Sequence, residues 1–245
     1  LSDPRSAVRD YQRRCNERIV GQLSRGRFLL DVASGPIPHP EYLDHSRNYD
    51  VRVCVDFSIR ALREARRQLG DRGLYLLGDI TRLPLAADVI DAVISLHTIY
   101  HLPANEQAAA IDELERVVRP GGRVVVVYTW RSSLLMQVIF RARSMAGKIR
   151  HLFRRPVPPG AAPSMAALFF CPQDHGWFVR EVASRRRVRL RVWSAVSAAF
   201  HDRFVPENRA GRAVLWAVAR LEDWCPRFCG RFGQYPLFVL DKPRQ

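Results

Sequence analysis

Lysine is almost absent from this 245-residue chain, where only Lys148 and Lys242 stand against 37 arginines. So one-sided a preference fits the coding bias of a GC-rich genome as well as a functional need. The formal net charge of +15 therefore favours an anionic partner (nucleic acid, acidic lipid or a phosphorylated substrate) without choosing among them. Long hydrophobic runs are missing too. No stretch reaches the ~18 apolar residues of a membrane span, and Leu1-Ser2-Asp3-Pro4-Arg5 holds no apolar signal-peptide core. A cytoplasmic protein is expected, with peripheral contact at the inner membrane face as the one membrane role left open. Cysteine is sparse and odd in number, which excludes a disulfide framework and fits a reducing compartment. Cys171 with His175, and Cys225 with Cys229, lie one helical turn apart. The CxxC spacing of a zinc knuckle is missing, however, so buried thiols and no bound metal are expected.

What is present is an alternation. Val8, Tyr11, Cys15, Ile19 and Leu23 recur at three and four residues, predicting an amphipathic helix over 6–23. Strand-length apolar runs follow at 28–32, 51–55, 74–77, 89–96 and 123–128, separated by helical stretches at 58–69 and 105–118. Pro120-Gly121-Gly122 is expected to turn the chain into the fifth strand. Strands alternating with helices are the mark of a parallel sheet joined by crossovers. Beyond Trp130 the alternation stops, and 132–172, rich in apolar residues, Arg and Pro, is expected to be an insertion or cap. The pattern resumes with a helix capped by Asp174, a strand over 188–196, a helix over 211–221 and a last strand over 235–241. One domain is expected, with an N-terminal helix (1–24), a cofactor-binding core (28–130), the cap and a C-terminal part of the sheet (174–245).

The chemistry concentrates at the strand ends. In Phe28-Leu-Leu-Asp-Val-Ala-Ser-Gly35 a buried strand ends in an acid, Asp31, and the small residues Ala33, Ser34 and Gly35 let a ligand lie against the backbone beyond the sheet. Pro36 and Pro38 remove two amides that a pyrophosphate would need, so the turn suits a cofactor without phosphates. Asp56 closes the second strand, 21 residues after Gly35, where a carboxylate accepts from both ribose hydroxyls of an adenosine. Asp79 follows the third strand, placed for the exocyclic amine of adenine, with Ile80 against the ring. Phe57 and Leu96 stand at the same strand ends and complete the expected cofactor set.

Taken together, Leu30-Asp-Val-Ala-Ser-Gly35, Val55-Asp56, Gly78-Asp79-Ile80, Leu83-Pro84-Leu85 leading to Asp91-Ala-Val-Ile-Ser95, and Leu114 to Gly122 resemble, in order and spacing, the class I S-adenosylmethionine-dependent methyltransferase family. The resemblance covers about Phe28 to Trp130. It implies an α/β, doubly wound, Rossmann-like and mostly parallel sheet of seven strands with helices on both faces and a helical cap after the fifth strand. It also implies S-adenosyl-L-methionine as cofactor. Two of the family's first-motif glycines are replaced, by Ala33 and Ile37.

In-line transfer needs donor and acceptor held in line, and a base only where the acceptor loses a proton. His97-Thr-Ile-Tyr-His101 follows the fourth strand where the methyl would project, so His97 and His101 are the candidate bases. Tyr100, Tyr128 and His175 are candidates for the acceptor pocket. A small-molecule or lipid-linked acceptor is expected, such as a sugar, a lipid-linked saccharide or a natural product methylated on oxygen. An RNA methyltransferase is the second reading, weakened by the lack of an Asn-Pro-Pro-Tyr type motif after the fourth strand, which makes nucleic acid the less favoured partner. A non-catalytic module, suggested by the altered glycines, is the third. Leu134 to Phe140, followed by Arg141, Arg143, Lys148, Arg150, Arg154 and Arg155, has the makings of an interfacial helix beside acidic lipid. The same pattern equally describes a helix packed on the sheet with a solvated basic face.

Overall fold

The central apolar runs bury both faces of their strands, as a parallel sheet requires, while the edge run 74–77 leaves Leu74 and Leu77 exposed. The computed structural model describes residues 5–150 and 169–244. Its strands are β1 (Gly26–Val32), β2 (Tyr49–Asp56), β3 (Gly73–Leu77), β4 (Ile90–Leu96), β5 (Val118–Val127), β6 (Val188–Ser194) and β7 (Tyr235–Asp241), in spatial order β3-β2-β1-β4-β5-β7-β6. The first five pair in parallel, and β7 runs antiparallel to both β5 and β6. Strand order reverses between β1 and β4, the switch point outside which open α/β sheets bind their ligands.

Alternate residues face opposite layers. Leu30, Val93 and Val124 pack beneath α3 (Gln107–Val117) through Ala110, Ile111 and Leu114. Leu29, Ile94 and Val125 point the other way, toward Ile19 of α1 (Ser6–Val20). The helix α2 (Ile59–Leu69) starts where Ser58 Oγ accepts from the Ala61 amide, which satisfies one of the orphan donors of its first turn. Between β1 and β2 the crossover is a 3-10 turn, Pro40–Ser46, rather than an α-helix. Pro120-Gly121-Gly122 lies within β5 instead of preceding it: the pairing with β4 slips between Ile90 and Ala92, and Gly121 takes φ +79° at the irregularity.

After β5 comes α4 (Leu134–Arg150), then α5 (His175–Trp177), capped by Asp174 and continuing as a π-helical turn through Ala183. Further on, α6 (Ala198–Phe204) and α8 (Pro226–Phe232), not apparent in the periodicity, flank α7 (Arg209–Trp224). Of the expected interfacial stretch, Leu135, Met136, Ile139 and Phe140 pack against α1, α6 and α7, so this apolar side of α4 covers protein. Leu134 and Val138 stay exposed. The side chains of Lys148 and Arg150, and residues 151–168 with Arg154 and Arg155, lie outside the described residues.

A buried acid fastens α1 to the far end of the chain. Glu222 accepts from Tyr11 Oη at 2.6 Å and the Ala195 amide at 2.6 Å on one oxygen, and from Arg18 at 2.8 Å on the other. Breaking such a buried pair from one side costs about 3–5 kcal/mol, because the remaining charge is left without a partner.

Candidate active site

The turn after β1 is built on three left-handed residues, Ala33 (φ +54°), Gly35 (φ +58°) and Ile37 (φ +51°). Only the middle one is glycine. The other two keep the backbone that glycine would adopt freely, at a cost of order 1–3 kcal/mol each. Ile37 is buried beside Cys54, Leu62 and Ala65, and burying such a side chain contributes about 1.5–3 kcal/mol, enough to offset its strain. The amides of Ala33 and Ser34 point at the Val55 carbonyl, at 2.7 and 3.3 Å. Gly35 faces open space: a Cβ built there meets nothing within 4 Å.

The three acids part company. Asp31 is buried, and its Oδ2 accepts from Nε of Arg52 at 3.0 Å and from Nη2 of the same guanidinium. Nη1 of Arg52 caps the Tyr42 carbonyl at 2.6 Å. Expected as a cofactor ligand, Asp31 instead anchors the turn from below. Asp56 is buried at the cleft edge rather than projecting into it. It accepts from the Gly35 amide at 2.9 Å on Oδ2 and from the Ser58 amide at 2.8 Å on Oδ1, and each oxygen keeps a second lone pair. Phe57 beside it is 81% exposed. Asp79 is exposed, its Oδ1 taken by the amide and hydroxyl of Thr81 at 2.8 Å each, and Ile80 is buried next to it. The Gly35 turn, Asp56 and Asp79 thus follow three adjacent strands at one edge of the sheet.

Further along that edge, half-buried Leu96 ends β4 and His97 follows at φ +59°, its amide donating to the Val127 carbonyl at 3.0 Å. The His97 ring stands edge-on to Trp193 and Tyr235, with centroids 4.6 and 5.4 Å away. Burial, and then the neighbouring His101, push its pKa down to about 4. It is a neutral imidazole at neutral pH. With Tyr11, Cys15, Trp193, His201 and Tyr235 it lines a cavity of about 200 Å³.

The remaining candidates make contacts of their own within the protein. Nδ1 of His101 lies 2.7 Å from the Phe169 carbonyl, and the Tyr100 carbonyl accepts from the Cys171 amide at 2.8 Å. Tyr128 is wholly buried, donating to Gln107 at 2.6 Å and accepting from the Gln173 amide at 2.9 Å, so it has no face for an acceptor. His175 opens α5 between Trp130 and Phe178. Trp193, Tyr235 and Tyr11 were missed in the sequence. The signal available was an aromatic at the end of one antiparallel strand and at the start of its partner, which the hairpin-like pairing brings to a single edge.

A family profile described as a methyltransferase domain matches residues 30–126. A demethylmenaquinone methyltransferase of Mycolicibacterium paratuberculosis is 32% identical over 132 residues, 54% of each chain. Over these residues the chain is similar to methyltransferases. Another demethylmenaquinone methyltransferase, of Renibacterium salmoninarum, is 37% identical over 119 residues, 44% of this chain and 48% of that protein. The chain spans about half the length of the curated relatives it matches. A phosphoethanolamine N-methyltransferase of Haemonchus contortus, solved with phosphoethanolamine and S-adenosylhomocysteine, shares the fold at a TM-score of 0.57 and 10% identity, over 97% of this chain and 44% of that one. No described helix is long and apolar enough to cross a membrane, and no group of three His, Cys, Asp or Glu among the described residues could hold a metal ion.

Proposed function

We propose that this protein transfers a methyl group from S-adenosylmethionine to a neutral, ring-shaped small molecule held in the cavity beside His97. The observation that carries the reading is the open space over Gly35, whose amide is held by Asp56, with exposed Phe57 next along the chain. The free lone pairs of Asp56 suit the two ribose hydroxyls, Phe57 suits an adenine face, and Asp79 suits its amine. Without free amides at Pro36 and Pro38, the turn favours a nucleoside carrying no phosphate. Bound there, the cofactor supplies an electrophilic methyl on a sulfonium centre.

The acceptor class is argued from the lining. β1 and β4 are hydrogen-bonded neighbours, with Val32 opposite Ser95, so the turn that begins at Ala33 and the segment Leu96-His97 leave adjacent strands side by side, about one strand spacing (~4.8 Å) apart. The cavity walls are aromatic or neutral, which favours a flat, uncharged acceptor such as a hydroxylated aromatic or quinol ring over a sugar or a phosphorylated amine. The names of the demethylmenaquinone methyltransferases support the same class. Neutral His97 is suited to accept a hydrogen bond from the acceptor hydroxyl and hold it in line; with so low a pKa it is a weak base, and positioning carries most of its contribution.

Calorimetry with S-adenosylhomocysteine tests the donor half, and absence of binding would refute it. A panel of quinol, phenol, sugar and phosphoethanolamine acceptors, read by mass spectrometry for a one-methyl increase, tests the other half. Transfer confined to the sugar or to phosphoethanolamine overturns the acceptor class.

A further inference from the structure

The outward side of α7 and α8 is unusually apolar for a surface. Trp224 is 79% exposed, Trp216 61% and Phe228 50%, and Leu221 lies open beside them. Tryptophan rings are rarely left in water without a partner, and three large aromatics on one stretch are not the scattered apolar residues of an ordinary surface. Helical spacing explains their alignment. Positions 209, 213, 216, 220 and 224 follow steps of three and four along one side, while Gly211, Leu215, Ala219 and Glu222 are the buried side.

The charge of this surface has one sign. Arg209, Arg212, Arg220, Arg227 and Arg231 are all exposed on the two helices. The guanidinium of Arg220 lies 5.4 Å over the Trp216 ring and that of Arg231 lies 5.1 Å over the Phe232 ring, so cations and rings share one level of the surface. Neither acid of α7 offsets them. Glu222 is buried with Tyr11 and Arg18, and Asp223 is turned to α1, where Arg14 and Arg18 pair with it.

We propose that α7 and α8 form a peripheral docking surface for an anionic lipid bilayer. The helices would lie in the plane of the interface with Trp216, Trp224 and Phe228 sunk to the headgroup level, the depth at which amphipathic rings are favoured, and with the arginines on acidic headgroups. Charge decides against a second copy of this chain: a two-fold contact places a patch against itself, and here that sets five arginines against five. Residues 151–168 are no better matched, since they contain Arg154 and Arg155 and no acid. Along the chain, α8 ends at Phe232, three residues before Tyr235, which is one wall of the cavity. The docking surface stands whether or not methyl transfer is the reaction.

The test is cosedimentation of the full chain with vesicles of phosphatidylcholine alone or mixed with phosphatidylglycerol. Binding to the mixed vesicles at low salt is expected, at least tenfold tighter than to phosphatidylcholine and weakened when salt shortens the Debye length to about 3 Å at 1 M. Trp216→Ala with Trp224→Ala, and separately Arg220→Glu with Arg227→Glu, should each lower binding at least tenfold while circular dichroism stays unchanged, since all four side chains are exposed. No binding to the mixed vesicles overturns the proposal, as does binding that both double variants retain. A dimer in sedimentation that the tryptophan variant dissociates, without vesicle binding by either form, assigns the surface to self-association and overturns it equally.

Discussion

Gly35 donates its backbone N–H to Oδ2 of Asp56 at 2.9 Å, so the acid proposed to hold the ribose also holds the turn proposed to carry the cofactor. The Ser58 amide on the other oxygen ties the same carboxylate to the start of α2. Asp56→Ala should therefore act twice. Charge-assisted hydrogen bonds are worth about 1.5–3 kcal/mol each, and the variant is expected to lose at least tenfold in S-adenosylhomocysteine affinity by calorimetry while melting several degrees lower. Asp56→Asn keeps one acceptor oxygen but turns an NH2 donor toward the other backbone amide, so it should recover at most part of the melting temperature and little of the affinity. Wild-type affinity in either variant would remove Asp56 from the donor site.

The left-handed turn yields two substitutions of opposite sign. Ala33 is only half-buried, so Ala33→Gly relieves the backbone and loses little contact, and a gain of up to about 1 kcal/mol is expected. Ile37→Gly relieves the same conformation but empties a packed site, where losses of about 2–5 kcal/mol for deleting such a side chain outweigh the relief. Urea titrations of the two variants should move in opposite directions. A shift of the same sign in both would mean that strain and burial do not compete at this turn as argued.

His97 carries a left-handed backbone, so the informative change is His97→Asn, because asparagine tolerates that region. Turnover with the true acceptor is expected to fall about a hundredfold, the loss typical of a misplaced reactant, with S-adenosylhomocysteine affinity nearly unchanged. The wild-type rate should be flat through neutrality and fall only as pH drops toward 4, where the imidazole gains its proton. A rate that falls already between pH 7 and 6 would place a different group in the step.

His45 lies wholly buried against Tyr42, with neither ring nitrogen finding a partner among the described residues. Burial, and then the cationic Arg52, push its pKa down to about 3. In the unfolded chain the ring takes a proton near pH 6.5, whereas the folded ring resists it to about pH 3, so the unfolded state binds more protons throughout that window. Stability is full above pH 6.5 and is lost as pH falls below it, by on the order of 3 kcal/mol by pH 4. His45→Phe should flatten this acid limb in melting experiments, and an unaltered slope would assign the acid sensitivity elsewhere.

The sheet was legible because its strands are apolar runs bounded by turn residues, and Phe28 to Trp130 displays them in family order. The acids were legible as positions but not as roles. Nothing in Asp31-Val32 announces that Arg52, on the next strand, has claimed Asp31, because that pairing arises only when β1 and β2 are laid in register. The cavity was hidden for a similar reason. Tyr11, His97, Trp193 and Tyr235 lie far apart in sequence and meet only at one edge of the sheet. The surface of α7 was obscured by its own periodicity: Trp216 and Leu221 lie within the apolar pattern from which a helix was expected, and only the register of packing tells which side is buried.

The bond from Tyr11 to Glu222 joins residues 211 positions apart, and this sets an order of events on the ribosome. At about 5–20 residues per second, the first helix emerges roughly 10–40 s before the acid that fastens it. During that interval Ile19 can pack on Leu29 and Ile94, but Val8, Tyr11 and Cys15 lack Phe200, Leu215 and Ala219, and the cavity lacks its Tyr235 wall. A nascent chain arrested before Arg209 should leave this helix open to protease or to a chaperone, whereas one extended past Asp241 should shield it. The helix α1 is thus fastened only when a segment some two hundred residues further along has been made.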